Sequence, residues 1–135
     1  MISKSKKGRN KTAKNKRFHE KVMALGCPIT EAIHQLQLHH CEGAKYVLDG
    51  RHVGETFVIP LHYVVHDRNH HKEAQSLGFK NRHYNQSEFK AVYGSDLELF
   101  MTIIQQYAET YGNDDPDIDM ESVKLILDQQ LTNDD

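Results

Sequence analysis

Apolar positions are sparse and grouped. Residues 1–16 are mostly Lys, Asn, Ser and Gly without apolar periodicity, and the first helical spacing is Phe18, Val22 and Leu25 in a segment from Arg17 through Leu25, closed by Gly26. Ile33, Leu36 and Leu38 lead into His39-His40 on a predicted strand. The stretch Glu42–Glu55 carries three glycines and reads as a loop. Thr56–Leu61 reads as a second strand, with Phe57, Val58 and Ile59 as β-formers and Pro60 at its end or on an edge. The next segment places His62, His66 and His70 at successive i+4 steps, which on one helix form a continuous stripe. Residues 69–82 are polar and predict a mobile loop. Ser87–Tyr93 reads as a short helix burying Phe89 and Val92, with Gly94 as its cap. Asp96–Tyr107 follows, with Ser95 and Glu98 as a capping box and Leu97, Phe100, Met101 and Ile104 on one face. Beyond a Gly-Asn-Asp-Asp-Pro breaker, Met120–Leu131 carries Val123, Ile126, Leu127 and Gln130 at helical spacing, a face suited to docking on the core or on a partner.

A chain of 135 residues suggests a single α+β domain, and 38% hydrophobic residues with no Trp make a large buried pocket improbable. The net charge of -2 conceals a polarity. Nine Lys and Arg face only Glu20 in the first 21 residues, about +8, whereas residues 112–135 carry eight acids against Lys124, about -7. The expected organisation is a disordered basic arm (1–16), a central domain (17–111) and an acidic linker with a C-terminal helix (112–135). Lys6, Lys7, Arg9, Lys11, Lys14, Lys16 and Arg17 suit a phosphate backbone, because each cation that neutralises a phosphate releases a condensed counterion. The competing reading of the arm is a solvated leader. A third places the acidic tail over the arm, or as a mimic of nucleic acid. Two cysteines fit no disulfide scaffold and point to a reducing cytoplasm, and no apolar leader or spanning segment is seen.

Composition changes the picture most through histidine. Nine of the ten lie between His34 and His83. A His-x3-His step alone is commonly coincidence, but strand, loop, strand and helix in order, with His39-His40 closing the first strand and His66 and His70 on the helix, point to a divalent-metal site. Neighbours on a strand point to opposite faces, so His39 and His40 divide the work: one ligates and the other handles protons, a task an imidazole suits at physiological pH. His19, His34, His52 and His71 read as exposed.

Four blocks carry a family resemblance: RFHEKVMALGC at 17–27, QLHHCEG at 37–43, FVIPLHYVVH at 57–66 and RHYNQSEFKAVYGSDLEL at 82–99. In order and spacing they resemble the HNH, or ββα-metal, nuclease superfamily, and within it the phage recombination enhancement function (Ref) family of RecA-dependent nucleases. The resemblance implies a ββα-metal core with flanking helices and a metal-dependent DNA endonuclease of phage or prophage type in a bacterial cytoplasm. By its logic His39 is a metal ligand and His40 the general base. His66 matches the ligand at the helix start, His70 a further ligand four residues on, and His83 a downstream ligand or phosphate contact. Mg2+ or Mn2+ is the implied cofactor, and the implied partners are DNA and a RecA-type recombinase filament, with no membrane. The chain departs from the family at three places. Thr30 stands where a second Cys is expected after Cys27, His62 replaces a Cys after Ile59-Pro60-Leu61, and an Asn that would orient the base is absent near Thr56 or Phe57. A structural zinc would draw on Cys27, His62 and one or two of His34 and Cys41. The alternative is a catalytically degenerate fold of this type, kept as a DNA-binding recombination accessory protein.

Overall fold

The computed structural model describes residues 12–42, 47–48, 51–52 and 54–133. Helix α1 spans Ala13–Leu25 and starts four residues before the predicted Arg17. The reason is a capping box: Thr12 Oγ1 accepts from Asn15 N, and Asn15 Oδ1 accepts from Thr12 N. The predicted arm therefore loses residues 12–16 to an ordered helix, and its remainder lies outside the described residues. Gly26 ends α1 at φ +89°, where a Cβ would stand 3.0 Å from Ala32 O, so both backbone conformation and space require glycine.

Strand β1 (Leu36–His40) pairs antiparallel with β4 (Val58–His62), with His39 opposite Ile59 and Gln37 opposite Leu61. Pro60 lies inside β4 opposite Leu38, tolerated because a two-stranded sheet leaves every strand with a free edge. Between them the two-residue strands β2 (Val47–Leu48) and β3 (Arg51–His52) pair with each other, and a 3-10 turn follows at Gly54–Thr56.

The predicted long histidine helix is broken. Helix α2 covers only Tyr63–His66, and Asp67 turns extended at ψ 118°. Its side chain accepts from Asn69 N to start a 3-10 turn, Arg68–His70, and α3 then runs His71–Leu77. An Asx turn has displaced the helical continuation. Part of the predicted mobile loop is accordingly helical. Helix α4 (Gln86–Tyr93) buries Phe89 but leaves Val92 56% exposed, against expectation.

Helix α5 spans Asp96–Tyr111, four residues longer than predicted, with the Ser95–Glu98 capping box in place. It buries Leu97, Phe100, Ile103 and Tyr107, while Met101 is exposed. Phe100 packs on Phe57 at 4.7 Å and Tyr107 on Phe18 at 5.1 Å between ring centroids. Helix α6 (Met120–Asn133) docks on this core through Val123 and Ile126. The described residues are thus α+β, helices with two antiparallel strand pairs, of which β1–β4 lies in the core. Among the described residues, no helix is long and apolar enough to cross a membrane.

Candidate metal centre

Along β1, side chains alternate, so Gln37 and His39 share one face while His40 takes the other. His39 is buried, and its two nitrogens have different surroundings. Nε2 lies 3.0 Å from Asp96 Oδ2, and Nδ1 lies 3.1 Å from His66 Nε2. His66, the last residue of α2, has its other nitrogen, Nδ1, 2.6 Å from Gln37 Oε1. His83 completes the group: its ring centroid is 4.8 Å from that of His66 and 5.5 Å from that of His39. One nitrogen from each of the three rings lies within 4.8 Å of the others, the one such group of His, Cys, Asp or Glu among the described residues.

The hydrogen-bond network assigns the tautomers. An ionised Asp96 only accepts, so His39 donates from Nε2. Gln37 Oε1 accepts, so His66 donates from Nδ1. Both remaining nitrogens then present lone pairs to each other across 3.1 Å, an arrangement that repels unless a proton or a cation lies between them. Burial first, then the neighbouring His39 and His83, push His66 down to about pKa 4, so near neutral pH a proton is a poor occupant. Burial also lowers His83, with His39 and Arg82 adding to the effect. Three imidazoles, each offering one nitrogen within 4.8 Å of the others, fit a divalent metal, and exposed His83 leaves one side open to solvent.

The support beneath these ligands escaped the sequence reading. Although burial would raise the Asp96 carboxyl, hydrogen bonds from His39 and Arg82 and from Glu42 N hold it well below the carboxylate range. Arg82, 2% exposed, also reaches Glu42 Oε1 at 3.1 Å. Asn81 joins the two ligand segments: Nδ2 donates to Val64 O and Asp67 O around the end of α2, and Oδ1 accepts from the backbone N–H of His83 and Tyr84. The available signals were slight: Gln37 lies two residues from His39 on a strand, and Asp96 opens a helix as any first-turn acid does.

Other expected residues go elsewhere. His70 leaves the group because Asp67 breaks the helix, and its ring stands near Glu73 (3.4 Å), Asp67 (3.8 Å) and Tyr63. His40 is about half exposed, with Nε2 3.1 Å from Glu55 Oε1, and does not join the trio. His19, expected at the surface, is buried against the Glu55 carbonyl. The structural zinc is not assembled among the described residues. Cys27 Sγ accepts from Ile29 N and Thr30 N, the Thr30 hydroxyl accepts from Ala32 N, and His62 caps α2 by accepting from Val64 N. Cys41 Sγ instead points to Asp96 O at 3.8 Å, and His34 is exposed. Of the expected phosphate contacts, Lys14, Lys16 and Arg17 are exposed on α1, with Arg17 Nε 2.9 Å from Asp117 Oδ1. Lys6, Lys7, Arg9 and Lys11 lie outside the described residues. Comparison with protein-family models, with curated proteins and with solved structures finds no match for this chain.

Proposed function

We propose that the protein is a metal-dependent DNA endonuclease of the ββα-metal kind, hydrolysing phosphodiesters with a single divalent ion held by His39, His66 and His83. The observation that carries the reading is the approach of three imidazoles, two of them, His39 and His66, held from their other nitrogens by Asp96 and Gln37. The antiparallel pair β1–β4 running directly into α2, with one ligand on the first strand and one on the helix, supports it. A cation bound there supplies Lewis-acid polarisation of the scissile phosphate and stabilises the departing 3'-oxygen. An all-imidazole set suits a transition ion, Mn2+ or Zn2+, better than Mg2+, which prefers oxygen donors.

His40 is the proton acceptor of this reading. With Nε2–H directed at Glu55, its Nδ1 keeps a lone pair for an attacking water. Glu55 thereby takes the orienting part that an Asn near Thr56 or Phe57 would play. The basic residues of α1 and of the preceding segment hold the polynucleotide, and the resemblance to Ref nucleases extends the reading to a recombinase filament as partner and a phage or prophage setting in the bacterial cytoplasm. A second reading, a non-cleaving DNA-binding accessory protein, is favoured by His40 lying on the face of β1 opposite to His39. Incubating supercoiled and single-stranded DNA with the protein and Mn2+ or Mg2+, with and without a recombinase filament, separates them. Cleavage abolished by chelation and by His66→Ala supports the nuclease. Salt-sensitive DNA binding with no cut under any condition supports the accessory protein.

A further inference from the structure

The turn that carries His83 presents a second feature that the metal centre does not use. The next residue, Tyr84, lies flat on His71, with ring centroids 3.7 Å apart and an interplanar angle of 3°. His71 covers one face of the phenol ring, yet Tyr84 is 53% exposed, so much of the ring remains open to solvent. Asn81 Oδ1 accepts from Tyr84 N at 2.9 Å and from His83 N at 3.1 Å, so a single buried side chain holds the backbone from which both the stacked ring and the His83 imidazole project.

Tyr84 and His71 line a cleft of about 200 Å³ together with Gln75, Phe79, Lys80 and Glu88. One wall is aromatic. Lys80 brings a cation whose partner, Glu88, stands at 3.6 Å with both side chains over 40% exposed, an ion pair weak enough to exchange for a phosphate. A flat apolar surface beside an exchangeable cation matches an unpaired nucleobase joined to its phosphate, since every base offers a π-face and every linkage a negative charge. A duplex offers neither an open base face nor a base free to enter a cleft.

We propose that the Tyr84–His71 stack is a platform for one unpaired base of a single-stranded polynucleotide, with Lys80 on the adjoining phosphate. The site thus selects single-stranded or locally opened nucleic acid. The inference deepens the nuclease reading by naming its substrate class, but binding requires no cleavage. Because the ring is already ordered by His71 and Asn81, little side-chain freedom is lost when a base arrives.

The test uses the full chain in a chelator, so that no cutting can occur, with a single-stranded oligonucleotide containing 2-aminopurine. Stacking quenches this base, and its fluorescence reports affinity directly. Tyr84→Ala should weaken single-strand binding by about 5- to 100-fold, the range for losing one base–aromatic stack. Tyr84→Phe, which keeps the ring, should stay within about twofold of the parent. Duplex of the same sequence and a free mononucleotide distinguish the sources: both should bind more weakly than the single strand and respond little to Tyr84→Ala. Unchanged thermal melting and Mn2+ binding establish that the Ala variant is folded. Equal single-strand affinity of Tyr84→Ala and parent overturns the proposal, as does a parent that prefers the duplex or fails to quench the probe. A parent that quenches the probe here yet cuts nothing when Mn2+ replaces the chelator would count against the nuclease reading alone.

Discussion

His39 Nδ1 and His66 Nε2 face each other at 3.1 Å, while the opposite nitrogen of each ring is held by Asp96 or Gln37. Orientation of both rings is therefore set from outside the pair, and with His83 they lie close enough to hold a metal ion. The two residues are 27 positions apart and meet because His39 lies on β1, while His66 ends the helix that follows the partner strand.

Asp96 is expected to matter twice. Asp96→Ala leaves Arg82 as a buried, poorly compensated charge and should cost about 3–5 kcal/mol of stability, measured by chemical denaturation. Asp96→Asn keeps the shape and is the cleaner probe of ligand support. It should fold yet bind the metal roughly 10- to 100-fold more weakly, the usual effect of losing a carboxylate behind a ligating imidazole. Parent-like metal affinity in the Asn variant would mean that Asp96 serves the fold alone.

Acid should destabilise the metal-free chain in a defined window. His66 titrates near 4 when folded and near 6.5 when unfolded, so below about pH 6.5 the unfolded chain takes up the proton first. Its stabilising contribution is full above pH 6.5, is lost as pH falls towards 4, and changes no further below that. The lowered His83 acts in the same direction. Thermal melts between pH 7.5 and 4.5 should show this decline, and His66→Gln should flatten it. A decline of the same slope in the variant would place the responsible group elsewhere.

How much of this was legible in the sequence depends on the range of the interaction. Ser95 and Glu98 announce the start of α5 through contacts three residues apart, and Pro60 correctly marks a strand with a free edge. The i+4 stripe of His62, His66 and His70 misleads because periodicity takes no account of Asp67, whose side chain offers Asn69 N a better partner than another helical turn. Asp96, Arg82 and Asn81 were missed because the contacts that tie them to the other segments of the site span 14 or more positions, and only the folded chain shows an acid at a helix start reaching His39 on β1. His83 came from family resemblance alone. His19 read as exposed because it stands outside the histidine cluster, but it is buried on α1 with Phe18 and Val22.

The acidic C-terminal segment belongs to the folded unit. Asp115 and Asp117 pair with Lys21, Asp117 also with Arg17, and Tyr107 OH donates to Asp115. Ile118, Met120, Val123 and Ile126 are buried. At roughly 1.5–3 kcal/mol for each, their loss rivals the whole stability of a small domain. Deleting residues 113–135 should therefore abolish cooperative unfolding and not merely uncover a basic surface. A truncated chain that melts like the parent would show the segment to be an appendage.

If the DNA-cleavage reading holds, His40→Ala should lower the rate by about 10²- to 10⁴-fold with metal affinity intact, the usual range for a general base. Glu55→Gln should produce a smaller loss, because the amide keeps an acceptor near His40 Nε2. A His40→Ala variant that cuts as fast as the parent would remove this residue from the chemistry.

Calorimetric titration of the full chain with Mn2+ and Zn2+ at pH 7.5 tests the central assignment most directly. One ion per chain should bind, and His39→Ala, His66→Ala and His83→Ala should each abolish it or weaken it severely, while His70→Ala binds as the parent does. Unchanged binding in the first three variants, or loss of the ion in His70→Ala alone, would contradict a centre built from His39, His66 and His83.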